Sequence, residues 1–203
     1  MLNDHHLDQL AQQHYLRLDG FFPVELYSAL RKKARALVEN DEMERAGIGS
    51  GAQFEMNKRI RGDEVFWLNR QDEDPVIQHF WKWIQDLSDQ LNRAFFLGIR
   101  DAEFHFAHYP KGAYYRPHFD QFKDRNNRLI SFILYMNDQW QSGHGGELVI
   151  HNKSEKIVVE PLGNRVAMFR SDAVLHEVLE AHQPRLSLTG WFTSQPLGLG
   201  FLT

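Results

Sequence analysis

Apolar residues recur at helical spacing in two segments of the first half of the chain. One segment spans residues 23–40 and has a proline in its first turn, a position that suits the start of a helix. The other spans about 74 to 96 and carries a longer apolar stripe. We therefore predict two amphipathic helices, preceded by a short strand and turn over LRLDGFF. The two stripes consist of Leu26, Leu30, Ala34 and Leu37, and of Val76, Phe80, Trp83, Ile84, Leu87, Leu91 and Phe95.

From residue 99 onward the pattern changes to short apolar runs separated by turn residues. No helical period lies between the runs, which is typical of an antiparallel sandwich or barrel. The predicted fold class is mostly β with supporting helices: a double-stranded β-helix, or jelly roll, with the N-terminal helices packed on one outer face. The seven runs are AEFHFAHY, RLISFILYMN, GELVIH, KIVVEP, RVAMFR, AVLHEVL and RLSLTGWF.

The length suits one domain over residues 1–203. Within it we predict a helical N-terminal part over 1–98, a jelly-roll core over 99–193 and a loosely held tail over 194–203. Residues 44–63 show no period and include several glycines, so we expect a long mobile loop or an irregular hairpin there.

Composition and charge exclude several kinds of site and of partner. The chain contains no cysteine, which excludes disulfides, thiolate zinc sites, iron–sulfur clusters and a cysteine nucleophile. The net charge of -4 provides no basic field for nucleic acid, and the basic residues within 31–35 are interpreted as a solvated helix face. The first residues lack a signal-peptide pattern, and no apolar run is long enough to span a bilayer. We therefore expect a cytoplasmic protein with no nucleic-acid or membrane partner.

One pair of metal-ligand residue types has informative spacing. The chain has eleven histidines, so a single one carries little weight. In an extended YRPHFDQF, however, His118 and Asp120 project from the same face because they are two residues apart. They could then serve as two ligands of one ion. The pair alone fits a surface turn with a solvated aspartate equally well.

The last two runs suggest a third ligand. If EAHQP joins AVLHEVL and RLSLTGWF as a hairpin, we expect His176 to lie opposite Arg185 on neighbouring strands. Arg185, Ser187, Thr189 and Trp191 would then share one polar face at the mouth of the barrel. The alternative is an ordinary edge strand with its leucines inside and its arginine in water.

Two histidines and one carboxylate form a facial triad that leaves positions open on iron(II). An arginine beside it offers a planar fork for a carboxylate. Together these groups meet the needs of 2-oxoglutarate, whose keto-acid end chelates iron and whose distal carboxylate requires a cation. Two other classes remain open: a cupin-type metal enzyme that does not use 2-oxoglutarate, and a non-catalytic module that grips a partner through residues 47–63.

Four segments resemble a known family when they are taken together: HYPKGAYYRPHFD, RLISFILYMNDQW, GGEL and LHEVLEAHQPRLSLTGWF. They are similar to the 2-oxoglutarate and iron(II)-dependent dioxygenases of the prolyl hydroxylase group. Within that group the resemblance is to the hypoxia-inducible-factor prolyl hydroxylases and to the bacterial relatives that act on elongation factor Tu. It covers residues from about 46 to 192.

The resemblance implies a peptidyl-proline 4-hydroxylase type of activity. Iron(II), 2-oxoglutarate and O2 would be required, ascorbate is a candidate reductant, and succinate and CO2 would be released. The implied partner is a protein substrate with an exposed proline loop, for which elongation factor Tu is a candidate. The alternative within the same class is a hydroxylase of a small molecule or free amino acid.

The resemblance also assigns roles to individual residues. It implies an iron site, a 2-oxoglutarate site and a substrate groove, with no protein general base beyond the metal centre. The loop between Tyr109 and His118 is one residue shorter than in the animal hypoxia enzymes, and the loop near Gly47 also differs. Both departures bear on peptide specificity. The implied residues are His118, Asp120 and His176 for iron; Arg185, Tyr135, Tyr109 and Thr189 for 2-oxoglutarate; and Arg61, Asp63, Arg128, Trp191 and Tyr115 for the substrate, with Arg61 and Asp63 anchoring a mobile loop.

Overall fold

A computed structural model describes residues 1–46, 61–121, 127–152 and 155–194. Most of the predicted mobile loop and nearly all of the predicted C-terminal tail lie outside these described residues. The expectations about a loop that closes over the substrate, and about a loosely held tail, therefore stay predictions.

Three helices lie in the described part of the first half of the chain: α1 (Asp4–Gln13), α2 (Val24–Glu39) and α3 (Pro75–Phe95). The two predicted helices are confirmed as α2 and α3. The α3 helix starts after Asp74, whose carboxylate accepts hydrogen bonds from the backbone N–H groups of Val76 and Ile77. None of the helices in the described ranges is long and apolar enough to cross a membrane.

The described strands form two antiparallel sheets, and all seven predicted runs are among them. The larger sheet has the order β1-β9-β6-β11-β4-β3-β2, and the smaller has the order β5-β10-β7-β8. The strands are β1 (Tyr15–Asp19), β2 (Glu44–Arg45), β3 (Glu64–Trp67), β4 (Asp101–Tyr109), β5 (Tyr115–His118), β6 (Arg128–Tyr135), β7 (Leu148–His151), β8 (Lys156–Val159), β9 (Arg165–Arg170), β10 (Leu175–Val178) and β11 (Arg185–Thr193).

The larger sheet separates two hydrophobic cores. On its outer face, α2 and α3 pack residues such as Leu30 and Ile84 against Phe104 and Phe132. Its inner face packs with the smaller sheet around a second core that includes Ile133 and Leu148. Alternation along each strand assigns side chains to these two faces in turn. The predicted fold class, a mostly β jelly roll with helices on one outer face, is confirmed.

Three strands of the larger sheet come from the part predicted to be helical. β1, β2 and β3 all precede residue 98, and each pairs with its neighbour in that sheet. The division into a helical part over 1–98 and a core over 99–193 stays a prediction.

The predicted hairpin between the last two strands is wrong. β10 pairs with β5 and β7, whereas β11 pairs with β4 and β6, so the two strands lie in different sheets. The linking residues hydrogen-bond to other loops: the backbone N–H of Ala181 donates to the carbonyl of Ala113, and that of His182 to the carbonyl of His144. His176 therefore lies opposite His118, and Arg185 lies opposite Tyr109.

Candidate active site

Three side chains converge at one end of the smaller sheet. His118 at the end of β5 pairs directly with His176 on β10, and Asp120 follows two residues after His118. The Nε2 atoms of His118 and His176 lie 3.4 and 3.6 Å from the two carboxylate oxygens of Asp120. The candidate ligand atoms of all three residues lie within 4.8 Å of one another. They form the only cluster of this kind in the described ranges.

Hydrogen bonds to the backbone orient both imidazoles toward this point. Nδ1 of His118 lies 2.7 Å from the carbonyl of Arg116, and Nδ1 of His176 lies 3.1 Å from that of Val174. Because a carbonyl only accepts, each Nδ1 carries the proton and each Nε2 is left with a free lone pair. Burial lowers the pKa of His176 to about 4, which favours the neutral form that binds metals.

The carboxylate of Asp120 is held from the opposite sheet. Ser131 on β6 donates a 2.6 Å hydrogen bond to it from Oγ. Burial opposes its charge, but attraction to His176 and His118 in their protonated forms, and the hydrogen bond from Ser131, outweigh burial and hold the pKa of Asp120 below its usual range. Asp120 is therefore an anion in a buried site, which is the state required of a metal ligand.

The triad opens into a cavity of about 260 Å³ between the two sheets, and Arg185 lines the same cavity from β11. Arg185 is only 4% exposed, and its Nε and Nη1 have no hydrogen-bond partner within the described part of the chain. Its guanidinium lies over the ring of Tyr109 at 4.1 Å. A buried arginine with unsatisfied donors is suited to bind an anion that enters the cavity.

The other residues expected at the 2-oxoglutarate site lie around Arg185. Tyr135 is fully buried, its hydroxyl has no partner among the described residues, and burial raises its pKa to about 12. Tyr109 is paired with Arg185 across the sheet, and burial raises its pKa as well. Thr189 lines the cavity, and its hydroxyl lies 3.2 Å from that of Ser187. These hydroxyls stay protonated at physiological pH, so they can donate to a carboxylate.

Arg61, Asp63 and Tyr115 form a contiguous group on another wall of the cavity. Arg61 donates from Nε to Asp63 over 2.7 Å, and its guanidinium lies 4.6 Å from the centroid of the Tyr115 ring. Tyr115 in turn stacks on His118, with ring centroids 3.7 Å apart. The Arg-Gly-Asp segment is thus in indirect contact with a candidate iron ligand.

Arg128 and Trp191 form a second group. The guanidinium of Arg128 lies 3.5 Å from the centroid of the Trp191 ring and pairs with Glu103 over 2.7 Å. Arg128 also donates to the backbone carbonyl of Asp120 over 3.4 Å. Every site residue predicted from the sequence therefore lines one cavity, although the hairpin used to bring His176 and Arg185 together was wrong.

The sequence reasoning missed several residues of the site, among them His105, Trp67 and Gly146. Alternation could have identified His105, because it lies four residues before Tyr109 in the same strand and so shares its face. Trp67 ends the segment that contains Arg61 and Asp63, and it is exposed at the cavity. Gly146 lies outside any strand but packs on Arg185, a contact for which the sequence gives no signal.

Comparisons with known proteins agree with this site. Residues 104–193 match the family model of the 2OG-Fe(II) oxygenase superfamily. A prolyl-4-hydroxylase from Pseudomonas putida has a TM-score of 0.85 and 34% sequence identity, with 94% of this chain and 98% of that chain covered.

Two more distant structures share the fold. A prolyl hydroxylase from Trichoplax adhaerens, solved with a peptide fragment of the hypoxia inducible factor oxygen degradation domain, has a TM-score of 0.82 at 21% identity, with 93% of this chain and 87% of that chain covered. A prolyl 4-hydroxylase from Phytophthora capsici has a TM-score of 0.77 at 24% identity, with 94% and 62% covered.

A jelly roll with a His-Asp-His cluster and a buried arginine in one cavity defines the class of iron(II) oxygenases that use 2-oxoglutarate. The chain belongs to the 2-oxoglutarate and iron(II)-dependent prolyl hydroxylase family and is a dioxygenase of the prolyl 4-hydroxylase type. Its cofactors are iron(II), 2-oxoglutarate and O2. This membership favours 2-oxoglutarate use over the cupin-type alternative, and catalysis over a pure binding module.

Proposed function

We propose that this protein hydroxylates a prolyl residue of a protein substrate and releases succinate and CO2, with elongation factor Tu as a candidate substrate. The observation that carries the proposal is the presence, in one cavity, of the three converging ligand atoms and of buried Arg185 donors that have no partner among the described residues. The matching prolyl-4-hydroxylase from Pseudomonas putida supports the choice of proline.

The site residues would have three roles: binding iron, binding 2-oxoglutarate and binding the substrate. His118, Asp120 and His176 hold iron(II), which when bound supplies the activation of O2 that the protein side chains cannot perform. Arg185 and Tyr135 bind the distal carboxylate of 2-oxoglutarate, with Thr189 and Tyr109 lining its pocket. The apolar walls, which include Ile133 and Leu148, exclude water from the reacting atoms.

The substrate would enter past Arg61, Asp63, Tyr115, Arg128 and Trp191. Trp67 and Phe119 line the same cavity, yet they remain 51% and 48% exposed. Large exposed aromatic residues at a cavity mouth suit an extended peptide, because a small metabolite would be enclosed and would leave them in water. This observation favours a protein substrate over the small-molecule alternative.

The proposal is tested by incubating the purified protein with iron(II), 2-oxoglutarate, ascorbate and a cell extract, followed by peptide mass spectrometry. We expect prolyl peptides that gain the mass of one oxygen atom, in amounts that depend on 2-oxoglutarate. The matched control is Asp120→Ala, which should yield none. Succinate formation without any hydroxylated prolyl peptide, but with a hydroxylated amino acid or metabolite, would overturn the proposal in favour of a small-molecule substrate.

A further inference from the structure

One histidine of the cavity has no part in the iron or 2-oxoglutarate sites described above. His105 lies in the middle of β4 and is 3% exposed. Its Nδ1 is buried and has no hydrogen-bond partner in the part of the chain that the structure describes. A buried polar atom without a partner destabilises a fold, so an apolar residue would be the better choice for packing alone. The position therefore points to a ligand that supplies the missing partner.

Aromatic side chains hold the His105 ring in place. It pairs across the sheet with Trp67 on β3 and with Thr189 on β11. Its ring centroid lies 4.6 Å from that of Trp67 and 5.5 Å from that of Trp191. These contacts hold the ring in the cavity wall between two indoles.

The imidazole is neutral at physiological pH. Burial, and then the positive charges of Arg61 and Arg128, lower the pKa of His105 to about 3, against a smaller opposing effect of Asp120. A neutral imidazole has one nitrogen that donates and one that accepts. His105 lines the same cavity as Asp120 of the candidate metal centre and as Arg61 and Arg128, which are assigned to the substrate groove.

A prolyl peptide has the complementary chemistry. Proline has no N–H group and an apolar side chain, so the target residue itself offers the protein only a carbonyl acceptor. That carbonyl needs a donor. The indole Nε1 of Trp191 is a second buried group without a described partner, and an indole nitrogen can only donate. His105 and Trp191 are thus two unsatisfied side chains beside the space where the proline would lie.

We propose that His105 is a specificity-determining residue that donates a hydrogen bond from Nδ1 to a backbone carbonyl of the bound prolyl peptide. The inference rests on the proposed function and names a contact within it. It predicts that the protonated nitrogen of His105 is Nδ1, because only this tautomer makes both His105 and Trp191 donors toward the peptide.

Two variants of His105 separate this role from packing. His105→Leu removes the donor at similar volume, whereas His105→Asn keeps an amide N–H close to the position of Nδ1. His108→Leu is the matched control, because His108 lies on the same strand with its side chain on the opposite face, paired with Glu64. The measured quantities are the ratio of hydroxylated prolyl peptides formed in cell extract to succinate formed, and the melting temperature.

We expect the ratio to fall about tenfold in His105→Leu, because one hydrogen bond to the bound peptide is lost. The ratio should be largely restored in His105→Asn. The melting temperature of His105→Leu should be unchanged or higher, because Nδ1 forms no hydrogen bond with the described residues. An unchanged ratio in His105→Leu would overturn the inference. It would also be overturned if His105→Leu and His105→Asn lowered the ratio by the same factor and both lowered the melting temperature. If the wild-type protein forms succinate but no hydroxylated prolyl peptide, the proposed function itself fails, and this inference fails with it.

Discussion

Arg185 has a charged side chain in a position that is 4% exposed, with two of its nitrogens lacking a described partner. A buried cation destabilises a fold strongly unless an anion is close by. The ring of Tyr109 beneath it provides a partial compensation through its π face. A bound carboxylate would provide the remainder, which explains why an arginine is present inside the sheet at all.

Arg185→Lys tests this role at constant charge. An ammonium group cannot reproduce the planar, two-point contact of a guanidinium with a carboxylate. We expect the dissociation constant for 2-oxoglutarate, measured by calorimetry with Mn²⁺ in place of iron, to rise about 10- to 100-fold. Arg170→Lys, at an exposed ion pair with Asp172, is the control and should have no effect. Unchanged affinity in both Arg185→Lys and Arg185→Ala would place the carboxylate elsewhere.

Gly146 leaves room for the side chain of Arg185. A Cβ atom at Gly146 would lie 2.9 Å from Cδ of Arg185, and the residue has a φ of +75°. We expect Gly146→Ala to displace the guanidinium and to weaken 2-oxoglutarate binding about tenfold. Gly143→Ala is a matched control, because Gly143 has a φ of +92° but no atom within 4 Å of its added Cβ. Equal loss of affinity in both variants would attribute the effect to backbone strain and not to Arg185.

At the scale of single elements, α2, α3, β1 and the seven strands that match the predicted runs follow closely from the sequence, whereas α1, β2, β3 and β5 were not predicted. The apolar stripe and the Asp-Pro start of α3 are local signals, and the alternation in β11 correctly placed Arg185, Thr189 and Trp191 on one face. The partners of β10 and β11 could not be read in the same way. A short polar link can close a hairpin or lead to another sheet, and the outcome here depends on loops distant in sequence that bind the link.

The start of α3 provides a prediction for stability. Asp74 caps the helix and pairs with Lys33 of α2 over 2.7 Å. We expect Asp74→Ala to lower the free energy of unfolding, measured in urea, by about 1 kcal/mol. Asp86→Ala removes an exposed carboxylate from the middle of the same helix and should leave stability unchanged. An equal effect of the two substitutions would contradict the capping role.

The contribution of Asp74 to stability should depend on pH. The hydrogen bond from Lys33, together with those of the cap, holds the pKa of Asp74 below its ordinary value. A lowered pKa means that the carboxylate stabilises the folded state fully above the ordinary pKa of aspartate, about 4. This contribution is lost as the pH falls below that value, so the difference between wild type and Asp74→Ala should shrink in acid.

At the scale of the whole molecule, the site exists because two sheets face each other. The candidate iron ligands come from the end of the smaller sheet, whereas Arg185 and the tyrosines come from the inner face of the larger one. The sequence could identify these residues through spacing and family resemblance. It could not give the distance between the sheets, the stacking of Arg61 on Tyr115 or the contact of Gly146 with Arg185, because these depend on how distant segments pack.

The central claim is that His118, Asp120 and His176 hold the iron that makes this fold an oxygenase. The most direct test is succinate formation by His176→Ala in the presence of iron(II) and 2-oxoglutarate, compared with His151→Ala, which alters a histidine paired with Glu177 on the same sheet. We predict that His176→Ala forms no succinate above background, because two remaining ligands hold iron(II) weakly and in the wrong geometry. His151→Ala should retain wild-type turnover. Near-normal succinate formation by His176→Ala would contradict the account and move the metal site elsewhere.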